Sequence, residues 1–228
     1  FGHPPDRDGS SHDGRAPLTA GRESRTIRLV KVLVTGGTGF LGSHLVEKLL
    51  EGADAEIYAL ARNPAKAQRL SSTGRIHILR GDLFNIPALP ADLDLVCHLA
   101  GVTKTFKSSE YYTVNRTGTA NLFRALAGLA GSPRIIHISS VAAGGPAVDG
   151  RPRREDDPPQ PRSPYGRSKL AGEEEALKYR DRFHLVILRA ASIYGPGDED
   201  FLDYFRWVRM GLIPVFGRRM KSLSLCYI

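Results

Sequence analysis

The sequence is poor in the features that mark secreted, metal-binding and membrane-embedded proteins. It has two cysteines, Cys97 and Cys226, which lie far apart in apolar runs. Two such cysteines predict neither a disulfide framework nor a metal site, and they favour a reducing compartment, which we take to be the cytoplasm. No apolar run approaches the length of a membrane span, and the first residues lack the apolar core of a signal peptide. The sequence therefore predicts no membrane partner.

Charge is plentiful but is not concentrated in one place. The net charge is +8, from 32 basic and 24 acidic residues. The arginines are scattered and interleaved with acids, and no nucleic-acid motif accompanies them, so we expect no nucleic-acid partner. Residues 1–27 are rich in Gly, Pro, Ser, Asp and Arg and have almost no apolar periodicity. Such a composition cannot bury enough surface to offset its ordering entropy, which predicts a disordered N-terminal extension.

A glycine-rich turn between an apolar strand and an amphipathic helix carries the strongest signal. The strand-like run that begins at Leu29 leads directly into Thr35-Gly36-Gly37-Thr38-Gly39-Phe40-Leu41-Gly42. Apolar residues then recur at spacings of three and four, as on one face of a helix. Strand, glycine turn and helix form the context of a dinucleotide-binding fingerprint, in which the backbone approaches the pyrophosphate at the helix N-terminus. A glycine turn without a ligand is the alternative.

The position that lies beside the adenine ribose in such a fold follows about twenty residues after the glycines. Here the second strand-like run is followed by Arg62, and no acid occurs between Glu56 and Asn63. An acid would hydrogen-bond the ribose hydroxyls and repel a 2′-phosphate, whereas arginine favours a phosphate. The sequence therefore favours NADP, with NAD as the second choice. A solvated arginine at a strand end is the alternative interpretation.

Strand-like and helix-like segments alternate along residues 28–198. This alternation predicts an α/β fold, namely a Rossmann-type doubly wound parallel sheet with helices on both faces. We expect residues 28–198 to form the NAD(P)-binding domain and residues 199–228 to begin a substrate-binding region. Further strands are predicted at 75–79, 93–99, 134–138, 183–190 and 222–228, and helices at 64–70, 108–130, 163–180 and 199–211.

Three polar residues in the second half suit proton transfer. Tyr165 and Lys169 are four residues apart in a predicted helix and so share a face. A phenol is a weak base at neutral pH, and a neighbouring ammonium should lower its pKa by favouring the phenolate. Ser140 ends a predicted strand at the same edge of the sheet, where it could hydrogen-bond a substrate oxygen. Together they suit a hydride transfer in which the nicotinamide carries the hydride.

From about Leu29 onwards the chain resembles the extended short-chain dehydrogenase/reductase superfamily, the group of NAD-dependent epimerase/dehydratases. The resemblance implies a nicotinamide-dependent oxidoreductase or epimerase acting on a small molecule with a hydroxyl or carbonyl group. A nucleotide-sugar epimerase/dehydratase with tightly bound NAD, and a non-catalytic dinucleotide-binding module, remain alternatives. The matching motifs are Thr35–Gly42, Gly81–Leu83, His98–Gly101, Val114–Leu122, Ser139–Ser140, Ser163–Lys169 and Tyr194–Gly197.

The resemblance also implies the roles of individual residues. Tyr165 would be the acid/base, Lys169 would hold the nicotinamide ribose and tune Tyr165, and Ser140 would orient the substrate oxygen. A lone histidine such as His98, at the end of a core strand, is more often structural than catalytic. With Arg62 included, the expected cofactor-binding residues are Gly36, Thr38, Gly39, Phe40, Leu41, Arg62, Asp82, Leu83, Leu99, Ala100, Gly101, Asn115, Tyr165 and Lys169.

The chain departs from the family pattern in three respects. Members that act on nucleotide sugars usually have an Arg-Asp-aromatic run near the position of Ser222-Leu223-Ser224, and Gly144 stands where a tyrosine is common. Both departures favour an NADPH-dependent reductase or a hydroxysteroid-dehydrogenase-like enzyme. The family also continues into a C-terminal substrate domain, which we expect to be largely missing here. The two long predicted helices resemble those of a four-helix dimer interface in the family, which makes a homodimer the candidate assembly.

Overall fold

The computed structural model describes residues 28–52, 54–67, 74–147, 151–212 and 224–228. The predicted N-terminal extension and parts of two other predicted segments, the helix at 64–70 and the strand at 222–228, lie outside these ranges. Within the described residues, no helix combines the length and the apolar character needed to cross a membrane.

A six-stranded parallel sheet forms the centre of the molecule. Its spatial order is β3-β2-β1-β4-β5-β6, and every neighbouring pair is parallel. This is the strand order of a doubly wound sheet. The chain adds β2 and β3 on one side of β1 and then adds β4, β5 and β6 on the other side, which leaves a crevice at the carboxyl ends of β1 and β4. The Rossmann-type prediction is confirmed. The strands are β1 (Val30–Thr35), β2 (Ala55–Ala61), β3 (Ile76–Arg80), β4 (Leu95–His98), β5 (Arg134–Ser140) and β6 (Leu185–Ala190).

Helices connect the strands, and a short second sheet follows them. In that second sheet, β7 (Ser192–Tyr194) pairs in parallel with β8 (Leu225–Tyr227). A π-helical turn at Thr113–Gly118 lies between α3 and α4. The helices are α1 (Phe40–Gly52), α2 (Pro64–Ala67), α3 (Ser108–Tyr112), α4 (Thr119–Ala127), α5 (Val141–Gly144), α6 (Pro164–Leu177) and α7 (Leu202–Arg209).

The core lies on both faces of the sheet because successive strand residues point to opposite sides. On one face, Leu33 of β1 belongs to a cluster with Leu122 and Phe123 of α4. On the other face, Val32 and Val34 pack in a separate cluster with Val46 of α1. Runs of apolar residues without polar alternation are typical of strands that are buried on both faces. The sequence pattern therefore placed the central strands correctly.

The predicted helix at 108–130 is the clearest local difference. It is divided by the π-helical turn and ends at Ala127. Gly118 closes the π-helical turn against Leu83, where a Cβ would lie 2.7 Å from the Leu83 side chain. The predicted helix at 199–211 begins only at Leu202, because the Asp198 carboxylate accepts the backbone N–H groups of Asp200 and Phe201 in a turn.

Candidate functional site

Gly36 and Gly42, in the glycine turn between β1 and α1, have no room for a side chain. Gly36 has φ +76°, and a Cβ there would lie 2.7 Å from the backbone nitrogen of Ala100. A Cβ on Gly42 would lie 2.1 Å from the Gly36 oxygen, while the Gly39 N–H donates to that same oxygen at 3.0 Å. The turn is therefore packed backbone against backbone, which brings the N-terminus of α1 close to the end of β4.

An open cleft of about 960 Å³ runs along the carboxyl ends of the strands. The glycine turn forms one wall of the cleft, and the predicted catalytic residues lie opposite this wall, on the floor of the cleft. In this position it coincides with the crevice expected at the switch point of a doubly wound sheet. The predicted residues that line it are Gly36, Thr38, Gly39, Phe40, Leu41, Leu99, Gly101, Ser140, Tyr165 and Lys169.

The other predicted binding residues lie outside the lining of this cleft. Arg62 is exposed just beyond the end of β2, and Ala100 lies directly beneath Gly36. Asp82 accepts the backbone N–H groups of the residues two and three positions after it, both at 2.8 Å. The side chain of Leu83 is buried in the core, and its carbonyl accepts from the Asn121 amide at 3.0 Å. Asn115, discussed below, is also buried.

Helix α6 begins as the sequence predicts and places Tyr165 and Lys169 on the cleft. The Ser163 hydroxyl accepts the Gly166 N–H at 3.0 Å, and Pro164 occupies the first helical position. Tyr165 lines the cleft together with Ser140 at the end of β5, and the Ser140 side chain acts to lower the pKa of the phenol. The Lys169 ammonium donates to the Ile138 backbone oxygen at 2.7 Å. The structure thus brings the three predicted catalytic residues together.

The prediction that Lys169 lowers the pKa of Tyr165 is wrong. Burial raises the pKa of Tyr165 above its ordinary value of 10.0, the hydrogen bond from Ser140 opposes this, and nearby Tyr111 adds to it. Burial also lowers the pKa of Lys169 from 10.5 to about 8. Desolvation disfavours the charged form of both groups, and the ammonium is directed at a backbone carbonyl rather than at the phenol. In this arrangement Tyr165 is a protonated donor at neutral pH.

His98 occupies the core, in line with the structural interpretation. Its Nδ1 lies 2.7 Å from the Thr35 hydroxyl and its Nε2 lies 3.0 Å from the Thr119 hydroxyl. Thr119 donates its own proton to the Asn115 carbonyl at 2.7 Å, so its oxygen must accept from Nε2–H of the imidazole. Burial holds the pKa of His98 well below 6.5. The neutral ring thereby joins β1, β4 and α4 beneath the cleft.

Asn115 fixes the loop that follows β4. Its Oδ1 accepts the Val102 N–H at 2.8 Å, and its Nδ2 donates to the Val102 carbonyl at 3.0 Å and to the Ser168 hydroxyl at 2.9 Å. The side chain therefore replaces a backbone partner for Val102 and connects that loop to α6. The π-helical turn that carries Asn115 is of the kind often found at functional sites.

Two features of the site were missed from the sequence. The buried carboxylate of Glu173 binds Arg189 of β6 and Ser139 of β5, a network signalled only by the position of Glu173 four residues after Lys169. The segment from Asp198 to Phe201 also lines the cleft. His44 of α1 donates to the carbonyl of Pro196, two residues before that segment, at 2.8 Å. Among the residues that the structure describes, no group of His, Cys, Asp or Glu side chains could hold a metal ion.

The sequence of this chain is similar to those of several enzymes. The chain is 33% identical over 174 residues to dTDP-6-deoxy-L-talose 4-dehydrogenase (NAD(P)(+)) of Kitasatospora kifunensis, covering 73% of this chain and 54% of that protein. It is 31% identical over 196 residues to human 3 beta-hydroxysteroid dehydrogenase type 7, covering 76% of this chain and 53% of that protein. The chain thus spans about half the length of these curated relatives.

Solved structures agree with the sequence comparison. The UDP-glucuronic acid 4-epimerase of Bacillus cereus, in complex with UDP-glucuronic acid and NAD, superposes with a TM-score of 0.74 at 28% identity and covers 87% of this chain and 69% of its own. The model of the NAD dependent epimerase/dehydratase family matches residues 32–219, which include the glycine turn, Ser140, Tyr165 and Lys169. The chain belongs to the NAD-dependent epimerase/dehydratase family.

Proposed function

We propose that the protein is an NAD(P)-dependent oxidoreductase or epimerase that transfers a hydride at a secondary alcohol or ketone carbon. The observation that carries the proposal is that Ser140 and Tyr165 line, together with Lys169, a cleft whose opposite wall is the glycine turn. A module that only bound a dinucleotide would have no need of this pair.

The wall of the cleft fits a dinucleotide. The first N–H groups of a helix have no partner within the helix, and they carry the positive end of its dipole. Helix α1 has 13 residues and begins at Phe40, so these groups lie at the cleft beside Thr38, Gly39 and Leu41. A pyrophosphate would bind there, because the glycines allow the backbone to approach without side chains in between.

The proposed chemistry divides the work between cofactor and chain. The nicotinamide, when bound, supplies or accepts the hydride. Tyr165 donates a proton to the substrate oxygen in the direction of reduction and accepts it in the direction of oxidation. Ser140 hydrogen-bonds the same oxygen and polarises the C–O bond. Lys169 holds the nicotinamide ribose with its ammonium.

The choice of NADP over NAD rests on two arginines at the carboxyl ends of β2 and β3. Arg62 follows the last residue of β2, and Arg80, the last residue of β3, pairs with Ala61 beside it. Both arginines are exposed at the edge where an adenine ribose would lie. The Bacillus cereus epimerase was solved with NAD, whereas the name of the Kitasatospora relative gives either cofactor. We therefore propose a preference for NADP with NAD as the second choice.

A nucleotide-sugar epimerase or dehydratase is the second candidate function. It is supported by the UDP-glucuronic acid in the Bacillus cereus complex and by the dTDP-sugar dehydrogenase among the relatives. Ser222 and Leu223, where the family places a diphosphate-binding run, lie outside the described residues. The human hydroxysteroid dehydrogenase among the relatives supports the first candidate. We further propose a cytoplasmic location, since Cys97 and Cys226 are both free thiols, and a homodimer formed through α4 and α6.

The test compares the wild-type chain with Tyr165→Phe. Cofactor binding is measured by NADH and NADPH fluorescence titration, and turnover is measured by chromatography with UDP-glucuronic acid and with a 3β-hydroxysteroid. We expect Tyr165→Phe to lose turnover by about 10²- to 10⁴-fold while it keeps its cofactor affinity. Full turnover in Tyr165→Phe would remove Tyr165 from the mechanism. A wild-type chain that binds cofactor but converts neither compound would favour the non-catalytic module.

A further inference from the structure

Three consecutive residues at the end of β5 each lie beside a different residue of α6. The Ile138 carbonyl accepts from Lys169, the Ser139 hydroxyl donates to Glu173, and Ser140 shares the cleft with Tyr165. The three helix residues are four positions apart, so they form a single row along one face of α6. The proposed function uses the first two members of this row and leaves Glu173 without a role.

Glu173 is a buried carboxylate with a full set of partners. It is 2% exposed. Its Oε1 accepts from Ser139 and, at 3.0 Å, from Nε of Arg189, while its Oε2 accepts from the other end of the same guanidinium at 2.7 Å. A buried charge without partners would be strongly destabilising, whereas this two-point arginine contact gives both carboxylate oxygens an oppositely charged partner. A negative charge is thus fixed inside the fold, one helical turn from Lys169.

The surroundings of Lys169 contain few other charges. Burial lowers its pKa to about 8, and the charge of Glu173 acts in the opposite direction. His98 of β4 and His137 of β5 also face Lys169, and burial keeps the pKa of each imidazole low, to about 3 for His137. Both rings are therefore uncharged at neutral pH, as is Tyr165. Glu173 is the neighbour whose charge favours the ammonium, and its ion-pair partner Arg189 carries the opposite charge.

We propose that Glu173 is a positioning residue for the reaction, one that holds Lys169 in its ammonium form and fixes the end of β5 through Ser139. This inference rests on the proposed function, because it assigns Glu173 to the same site. The ion pair with Arg189 supplies the geometry, and the residual negative charge acts on Lys169. An ion pair that only fastened α6 to β6 would contribute to stability but would not change the titration of Lys169.

The direct test follows Lys169 itself. The chain is labelled with ¹³C at the lysine ε-carbons, the Lys169 signal is assigned by its loss in Lys169→Arg, and its NMR titration is recorded without cofactor. In Glu173→Gln the carboxamide keeps an oxygen for Ser139 but loses the charge. We expect the titration midpoint of Lys169 to fall by about one pH unit. The exposed neighbour Glu174 provides the matched control, and Glu174→Gln should leave the midpoint unchanged.

If Glu173→Gln does not fold, a second variant provides the same measurement. Replacement of a buried ion pair by apolar residues of similar size is often neutral for stability, so the double variant Glu173→Met/Arg189→Met removes both charges together and leaves only the Ser139 hydroxyl without its acceptor. It should lower the Lys169 midpoint in the same direction. An unchanged midpoint in either folded variant would overturn the role of Glu173.

NADH binding separates this inference from the proposed function. The pH at which NADH affinity is lost should move down with the Lys169 midpoint in Glu173→Gln, and an affinity profile that stays in place while the midpoint moves would overturn the positioning role. A wild-type chain that fails to bind NADH would instead contradict the proposed function. The midpoint measurement needs no cofactor, so the two failures can be distinguished.

Discussion

Lys169 donates a hydrogen bond of 2.7 Å to the backbone oxygen of Ile138, two residues before Ser140. The same ammonium nitrogen would lie 3.8 Å from a Cβ placed on Gly101, at the end of β4. Lys169 therefore spans the ends of two neighbouring strands beneath the cleft. The hydrogen bond satisfies one donor of a buried cation, and the remaining donors are available to a ligand in the cleft. A buried ammonium held in this way is sensitive to pH.

Cofactor affinity should fall as the pH rises through about 8, the value to which burial lowers the pKa of Lys169. Loss of the proton removes a charge-assisted hydrogen bond to the ribose, so we expect NADH affinity at pH 9.5 to be about tenfold lower than at pH 7. The measurement is a fluorescence titration at several pH values. Lys169→Arg keeps its charge over this range and serves as the control, since its affinity should not show the same loss.

The stability of the chain without cofactor should change in the opposite direction. The pKa of Lys169 is lower in the folded state than its ordinary value of 10.5, so between about 8 and 10.5 the unfolded chain binds more protons at this site. Lys169 therefore contributes a free energy of unfolding that increases with pH across that window. An affinity loss that followed a loss of folding, seen by circular dichroism, would contradict the prediction.

The fold could be predicted largely because its signals are local. The apolar run before Gly36 and the glycine spacing after it define a buried strand and a phosphate-binding turn within fourteen residues. Ser163 and Pro164 likewise mark the start of α6, as the structure has it. Each of these signals depends on backbone chemistry, such as the conformational freedom of glycine and the capping of a helix by serine.

The features that the sequence did not predict depend on packing between distant segments. The partners of Glu173 are 16 and 34 residues away, and those of Asn115 lie 13 and 53 residues away. The pKa of Tyr165 was predicted from the spacing to Lys169 alone, which specifies a shared helix face but not the burial of that face. Desolvation then determined the direction of both pKa shifts.

Gly42→Ala should remove cofactor binding and destabilise the fold. The added Cβ would lie 2.1 Å from the Gly36 oxygen and 2.8 Å from the backbone of Gly37, so relief requires the whole turn to move. We expect a loss of about 1–3 kcal/mol in the free energy of unfolding and more than tenfold in NADH affinity. Gly52→Ala, at the other end of α1 with open space around it, is the control and should be neutral or slightly stabilising. Wild-type affinity in Gly42→Ala would contradict the close-packed turn.

Arg62→Asp should reverse the choice of cofactor. The exposed guanidinium at the end of β2 would pair with a 2′-phosphate, while a carboxylate there would repel the phosphate and hydrogen-bond the ribose hydroxyls instead. We expect the wild-type chain to bind NADPH more tightly than NADH and Arg62→Asp to bind NADH more tightly. Parallel titrations measure both ratios. Arg116→Asp, an exposed arginine on the π-helical turn, changes the net charge equally and should leave the ratio as in the wild type. A wild-type preference for NADH would remove Arg62 from cofactor selection.

Asn115→Ala should lower the free energy of unfolding. The change leaves the N–H and carbonyl of Val102 and the hydroxyl of Ser168 without the amide that bound them. An unsatisfied buried polar group costs about 1–3 kcal/mol, so we expect a loss of at least 2 kcal/mol in the free energy of unfolding, measured by urea denaturation. Asn121→Ala removes one hydrogen bond to the part-buried Leu83 carbonyl and one from the exposed Arg124 guanidinium, and should cost about 1 kcal/mol. Equal losses in the two variants would show that the Asn115 amide does not hold the loop after β4.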